Sequence, residues 1–172
     1  MEMETPIIRA ARPEDAPALA AAEREIARIP GRLARTPTEI DDAAICKTIR
    51  ALADLRLGIY LVAEVAGALV GHAFLESLAL GATAHVVRLS IAVHEGHQRK
   101  GVGTALMNAL LRWARENPRV EKVELHVRSG NAAAIALYRS LGFVEEGRKT
   151  RRLKLSASHY LDDIYMALWV GP

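Results

Sequence analysis

The spacing of apolar residues changes along the chain, and each change marks a predicted element. Residues 6–10 predict a short strand, and after Asp15 the apolar positions recur at the spacing of an amphipathic helix. Asp15 is expected to cap this helix, because its carboxylate can accept a free main-chain N–H of the first turn. A second helical pattern follows, and Thr38 with Asp41 resembles a capping box at its start.

Beyond the second helix the pattern changes to strict alternation, which predicts strands. Residues 60–78 contain two alternating runs around Ala66 and Gly67, and this arrangement predicts a hairpin. Residues 85–93 predict a further strand. Helical spacing then returns at Gly101 and gives the clearest amphipathic pattern in the chain.

The rest of the chain combines one short helix with alternating segments. Pro118 ends the long helix, and Asn131 is expected to cap a short one. Three strands are predicted here, at residues 122–127, 144–155 and 161–170. The order of elements predicts an α/β fold with one mixed sheet flanked by helices, in a single domain over residues 1–172.

Composition and charge exclude several classes of function. A chain of 172 residues that is 51% hydrophobic can bury a full core. The 23 Lys and Arg residues against 20 Asp and Glu give a net charge of +3, too small an excess to indicate nucleic-acid binding. Cys46 is the only cysteine, which excludes an intrachain disulfide. It lies on an apolar helix face, so we expect a buried, inert thiol in a reducing compartment.

The chain shows no sign of a membrane or a metal. The first ten residues, MEMETPIIRA, are acidic and lack the apolar core of a signal peptide, and no apolar run approaches the ~18 residues of a membrane span. We therefore expect a cytoplasmic protein without membrane contact. No metal is expected either, because His72, His85, His94 and His97 lack metal-ligand spacing.

The turn HQRKGVGTAL, at residues 97–106, predicts an anion site. The first N–H groups of a helix have no internal acceptors, and Gly101 and Gly103 would let a ligand approach them closely. Arg99, Lys100 and the helix dipole favour negative charge. Neither the Walker A pattern nor the three-glycine dinucleotide pattern matches. The turn therefore predicts a phosphate or pyrophosphate site of another kind.

Two motifs together resemble those of one enzyme superfamily. The first is QRKGVG at residues 98–103, and the second is NAAAIALYRSLGF at residues 131–143, after the next strand. In order and spacing they are similar to the signatures of the GNAT superfamily of N-acetyltransferases. The resemblance implies a single mixed, mostly antiparallel sheet of six or seven strands with four flanking helices and splayed central strands.

The resemblance also implies that acetyl-CoA is the co-substrate. Main-chain groups of Ile91 and Val93 would pair with the pantetheine arm, as an added strand does. The main-chain N–H groups of residues 99–104 would hold the pyrophosphate. Asn131 would cap its helix and also touch the pantetheine; capping alone is the alternative. The implied cofactor-binding residues are Ile91, Ala92, Val93, Gln98, Arg99, Lys100, Gly101, Val102, Gly103, Thr104, Asn131, Ala134 and Tyr138.

The chemistry implied by the resemblance is direct acetyl transfer to an amine through a tetrahedral intermediate. Tyr138 is the implied general acid for the departing thiolate; a purely structural core position is the alternative. In some members a glutamate near the position of Val87 acts as the general base. Valine cannot accept a proton, so this chain departs from that pattern. No general base is assigned, and a water chain could serve instead. The nearby titratable residues are Glu64, Glu76, His72, His85, His94 and Glu95.

The acceptor is expected to be the amine of a small metabolite, such as an amino acid. A protein N-terminus or lysine is the alternative acceptor, and a non-catalytic acyl-CoA sensor is the alternative of another class. Arg32 and Arg35 could meet a substrate carboxylate, and Asp162 and Asp163 an amine, although exposed surface positions are expected for all four. The basic run 148–154 is expected to be an exposed face that prevents edge pairing. A homodimer is compatible with the sequence.

Overall fold

The computed structural model describes residues 5–55, 58–78 and 80–172 of the chain. The acidic residues 1–4, on which the expected absence of a signal peptide partly rests, lie outside this range. The strands in the described residues are β1 (Ile7–Ala10), β2 (Gly58–Val65), β3 (Ala68–Ser77), β4 (Val86–Val93), β5 (Lys122–Arg128), β6 (Val144–Lys154) and β7 (Tyr160–Trp169). The α-helices are α1 (Ala16–Ala27), α2 (Asp42–Leu55), α3 (Val102–Glu116) and α4 (Ala132–Ser140).

The strands form one mixed sheet in the order β1-β2-β3-β4-β5-β7-β6. Neighbouring strands are antiparallel except β4 and β5, which run parallel. These two strands pair only from Val86 with Lys122 to Arg88 with Glu124. From Leu89 onward their pairing stops. The predicted mixed sheet with four helices and splayed central strands is confirmed.

Helices cover both faces of the sheet. The apolar stripe of α3 packs with the ring of Tyr138 from α4 in one core cluster, and α1 and α2 cover the other face in a second cluster. Cys46 packs at the edge of the second cluster and is only half-buried, less than the sequence predicts. Among the described residues, no helix combines the length and apolar character needed to cross a membrane.

The turn between β2 and β3 confirms the predicted hairpin. Ala66 and Gly67 both have positive φ, 49° and 80°, as the tight primed hairpin turns require. Glycine reaches this region without strain, whereas Ala66 adopts it against the clash of its Cβ.

The caps predicted for the first two helices are not formed as the sequence predicts. The capping box lies at Thr36 and Glu39, because a short 3-10 turn comes before α2 and the main-chain N–H of Thr36 donates to Glu39 Oε2 at 2.7 Å. Thr38 and Asp41 do not form it. Asp15 does precede α1, but its carboxylate binds the guanidinium of Arg9 at 2.8 Å instead of a helix N–H.

Strand β6 is one edge of the sheet and is exposed along most of its length, as the basic run predicts. Its pairing with β7 slips between Lys149 and Leu153, and Arg151 within the slip has a positive φ of 53°. A bulge of this kind changes the direction of nearby side chains. Arg152 and Lys154 consequently line a cavity that the sequence did not predict.

Candidate active site

The turn that enters α3 presents unpaired main-chain donors. Gly101 has a φ of 79° at the N-cap position, and no side chain caps the helix. In the part of the chain that the structure describes, the N–H groups of Val102, Gly103 and Thr104 have no acceptor. Such donors, at the positive end of the helix dipole, can bind a phosphate group. The structure therefore has the free donors on which the predicted anion site depends, and anion binding itself stays a prediction.

The side chains of the same turn have two roles: one stabilises the loop, and two carry positive charge. Gln98 accepts from the main-chain N–H of Gly96 at 3.1 Å and donates to Glu95 at 3.2 Å, so its amide stabilises the loop. Arg99 and Lys100 are exposed, and among the described residues neither has a carboxylate within 4.0 Å. Their charges remain available to an anion.

A cavity of about 350 Å³ opens where β4 and β5 separate. Its walls include Ile91 of β4, Tyr138 of α4 and the segment Arg32–Arg35 between α1 and α2. Because α4 and this segment lie on opposite faces of the sheet, the cavity passes through the gap between the strands. Asn131 also lines it, and its side chain caps α4 by accepting from the N–H of Ala134 at 3.2 Å. We call this cavity the cleft.

Tyr138 belongs to the core and to the cleft at once. Its ring packs against Phe143 with the centroids 5.8 Å apart, and the residue is only 6% exposed. Its hydroxyl has no hydrogen-bond partner among the described residues. Burial raises the pKa of Tyr138 to about 12, so the hydroxyl keeps its proton at neutral pH.

A second cavity, of about 550 Å³, adjoins the cleft. It lies between the segment that follows α1, the strands β5 and β7, and the end of the β6–β7 hairpin. We call it the outer cavity. The residues common to both cavities are Leu33, Ala34, Arg35, His126 and Arg128.

His126 is the imidazole at this boundary, and the sequence analysis missed it. Its Nδ1 lies 3.6 Å from Asp163 Oδ2 and 3.3 Å from a guanidinium nitrogen of Arg128, and its ring stacks on Tyr165. Partial burial and the charge of Arg128 lower its pKa, while Asp163 raises it in part. The ring is therefore neutral at pH 7 and can accept a proton. The sequence did contain a signal for this residue. His126 is the histidine in the alternating strand KVELHV, just before the second motif.

Asp163 is buried, which corrects the surface position expected from the sequence. It is 4% exposed, and its Oδ1 lies 3.5 Å from Nε of Arg128, where neither atom makes a hydrogen bond. Asp162 instead binds Arg148 at 3.2 Å and accepts from the N–H of Arg151. Successive strand residues face opposite sides of a sheet, so the two carboxylates have different surroundings.

The six titratable residues considered from the sequence mostly lie away from both cavities. Only Glu76 lines the cleft, and it is paired with Arg88 at 3.1 Å. Glu64 pairs with Arg9 at 2.9 Å. Two others, His72 and His94, are buried within the fold.

His72 and His94 are part of a buried chain of polar contacts that ends at the cavities. Arg35 contacts Glu23 Oε2 at 2.7 Å, and Glu23 Oε1 lies 3.1 Å from His72 Nε2. His72 Nδ1 lies 3.0 Å from His94 Nε2, and His94 Nδ1 contacts the carbonyl of Leu69 at 2.9 Å. This series of polar contacts, which we call the buried chain, links the residues just before the α3 turn with the wall of the outer cavity.

Comparison with known proteins gives one consistent result. The model of the acetyltransferase (GNAT) family matches residues 25–143. An L-amino acid N-acetyltransferase of Escherichia coli K12 is 36% identical over 107 residues, which are 62% of this chain and 65% of that protein, less than two thirds of its length.

Two solved structures share the fold over almost their whole length. A ribosomal-protein-alanine N-acetyltransferase from Brucella melitensis has a TM-score of 0.83 at 29% identity, covering 95% of this chain and 99% of that one. An acetyltransferase from Salmonella typhimurium, solved with acetyl-CoA, has a TM-score of 0.86 at 24% identity, covering 98% and 96%. With the family model matched across both motifs and the splayed strands, this chain belongs to the GNAT family of acetyltransferases.

Proposed function

We propose that this protein is a single-domain N-acetyltransferase that moves the acetyl group of acetyl-CoA to a primary amine of a small metabolite. The observation that carries the proposal is the cleft that opens where β4 and β5 stop pairing and that meets a second cavity at His126. The cleft would then hold the co-substrate and the second cavity the acceptor, with the titratable side chain of His126 between them.

The residues at the helix entrance suit the diphosphate of coenzyme A. The N–H groups of Val102, Gly103 and Thr104 would bind its oxygens, with Arg99 and Lys100 adding positive charge. A Cβ at Gly101 would meet nothing within 4 Å, so this side of the turn is open to a ligand.

The pantetheine arm would lie along the unpaired stretch of β4. Residues 91–93 have neighbours on β3, but pairing with β5 has already ended at Arg88. Their free edge can accept an extended ligand as a strand would be accepted. Asn131 and Ala134 would flank the arm at the start of α4.

Tyr138 is the proposed donor to the leaving sulfur. When the C–N bond forms and the C–S bond breaks, negative charge develops on the thiolate, and a protonated hydroxyl stabilises it. The raised pKa of Tyr138 keeps that hydroxyl protonated before each turnover.

His126 is the proposed general base. It is neutral at pH 7, lines both cavities and stands beside Asp163, which would stabilise the imidazolium formed when the attacking amine loses its proton. This assignment supplies the base that the sequence left open.

The acceptor class separates this proposal from its alternatives. The test is thiol release from acetyl-CoA in the presence of free amines, compared with N-terminal peptides and with a lysine peptide. Release that depends on a free amine supports the proposal. Release with peptides alone would select the protein acceptor, and coenzyme A binding without release from any acceptor would select the sensor.

A further inference from the structure

We propose that the outer cavity binds an α-amino acid with an apolar side chain, and that Arg35 receives its carboxylate. This inference rests on the proposed acetyl transfer and specifies the class of amine. It is carried by the charge of the cavity, by the buried chain behind Arg35 and by the position of His126 on the shared wall.

The outer cavity is lined by more positive than negative charge. Four cationic residues, Arg35, Arg128, Arg152 and Lys154, face it, against the single carboxylate of Asp163. Within the described residues, Arg152 and Lys154 have no carboxylate within 4.0 Å. A ligand that brings a carboxylate would lower the repulsion among these groups.

The protons of the buried chain can be assigned by hydrogen-bond valence. The carbonyl of Leu69 only accepts, so Nδ1 of His94 carries its proton; burial and the neighbouring His72 lower the pKa of His94 to about 4 and keep it neutral. Nε2 of His94 therefore accepts from Nδ1 of His72. Burial opposes ionisation of Glu23, yet the contact with His72 and the charge of Arg35 lower its pKa overall. Glu23 is therefore ionised at neutral pH, and its two oxygens contact His72 and Arg35.

The buried carboxylate of Glu23 fixes the position of Arg35 through one nitrogen of its guanidinium. Glu23 has a side-chain exposure of only 8%, and Arg35 is 51% exposed. Glu23 contacts the guanidinium at 2.7 Å through Nη2, and no other nitrogen of Arg35 makes a side-chain hydrogen bond among the described residues. A fixed guanidinium with such donors left over is preorganised for a carboxylate ligand.

The shared wall matches the connectivity of an α-amino acid. In such a molecule one carbon separates the amine from the carboxylate. Arg35 and His126 both belong to the small set of residues common to the two cavities, so the carboxylate and the attacking amine can be held beside the cleft together. The side chain then extends into the outer cavity, whose apolar wall consists of Ala27, Pro30, Leu33, Leu153 and Leu155.

The experiment compares three acceptors that differ only at the carboxylate. L-leucine, L-leucinamide and 3-methylbutylamine share the same apolar side chain, and only the first carries the negative charge. With the wild-type protein and acetyl-CoA, kcat/KM for L-leucine is expected to exceed that for each of the others by about tenfold or more. The difference should lie mainly in KM, since Arg35 binds a group that does not react.

Variants assign the preference to Arg35 and to the chain behind it. Arg35→Gln should raise KM for L-leucine about tenfold or more and change KM for 3-methylbutylamine by less than twofold. Arg28→Gln is the matched control, because Arg28 is an exposed arginine paired with Glu25 outside both cavities. His72→Gln should shift KM in the same direction, because it removes the imidazole contact that holds Glu23 beside Arg35. If His72→Gln does not fold, Arg35→Gln alone decides.

Binding measured without turnover separates this inference from the proposed function. Calorimetric titration of L-leucine into the protein saturated with coenzyme A should give a signal that Arg35→Gln weakens. Binding without thiol release would refute the transfer and support the amino acid site. Equal use of L-leucine and 3-methylbutylamine would support the transfer and overturn the site, as would equal effects of Arg35→Gln on both acceptors or the absence of L-leucine binding.

Discussion

The Nδ1 atom of His72 lies 3.0 Å from the Nε2 atom of His94, so two imidazoles share one proton inside the fold. Since the pKa of His94 in the folded protein is about 4, against an ordinary value near 6.5, the unfolded chain takes up an additional proton at His94 first as the pH falls. The stabilisation is present above pH 6.5 and is lost on the way down to pH 4. Over that range the free energy of unfolding should fall by an amount on the order of 3 kcal/mol from this group.

The measurement is urea unfolding at several pH values. His94→Gln should flatten the pH dependence between 6.5 and 4.5, above the range in which Glu23 titrates. His159→Gln is the control, because His159 is an exposed histidine in the β6–β7 turn. An unchanged slope in His94→Gln would contradict the assignment of neutral His94.

His126→Gln should lower kcat/KM by roughly 10²- to 10⁴-fold, because the variant has no group to accept the amine proton. In the wild-type protein, kcat/KM should fall as the pH drops below the pKa of His126, which lies under its ordinary value. The variant should lose this acidic limb and keep its affinity for coenzyme A. His159→Gln again serves as the control, and a variant of His126 that keeps the acidic limb would exclude this residue as the base.

Tyr138→Phe should lower kcat by roughly 10²-fold and leave the dissociation constant of coenzyme A unchanged within about twofold. Phenylalanine fills the same space beside Phe143, so the melting temperature should stay close to that of the wild type. Since the pKa of Tyr138 is about 12, its titration should not appear in the rate profile between pH 6 and 9. Full activity in Tyr138→Phe would show that Tyr138 has only a structural role in the core.

Gly101→Ala should destabilise the protein by about 1 kcal/mol, because alanine is strained at a φ of 79°. It should also weaken coenzyme A binding, since the direction of the first N–H groups of α3 depends on this conformation. Gly147→Ala is the matched control: its φ is not positive and its Cβ would meet nothing within 4 Å. Calorimetry with coenzyme A and thermal unfolding give both quantities, and equal behaviour of the two variants would refute the role of Gly101.

The sequence was sufficient for the elements and for the turn that carries the predicted anion site. Alternation and helical spacing depend on neighbouring residues, so the hairpin at Ala66 and the amphipathic α3 could be predicted locally. The turn at Gly101 could also be recognised, because strand, glycine and helix follow one another in the chain. The capping box was misplaced at Thr38 because a 3-10 turn, which leaves no periodic signal, comes before α2.

The acceptor side could not be predicted because its contacts depend on register. Arg128 meets Asp163 only because β5 pairs with β7 in one particular alignment, and a shift by one residue would turn Asp163 to the other face. Glu23 and His72 are 49 residues apart, and their contact requires α1 to pack on β3. Single-residue patterns contain no information on either distance.

The short paired stretch of β4 and β5, from Val86 to Arg88, has a consequence for substrate specificity. We call this stretch the seam. Among the described residues, three adjacent pairs join β4 to β5, and the N–H groups of Glu121 and Lys122 donate to the carbonyl of His85 at the same end, so the two halves of the sheet are joined through the backbone over a short stretch. A small change of twist at the seam changes the distance between β4 and β5 by a larger amount farther along the two diverging strands. Substitutions near Val87 can therefore adjust the width available to the thioester and its acceptor while every reacting group stays on its own rigid half.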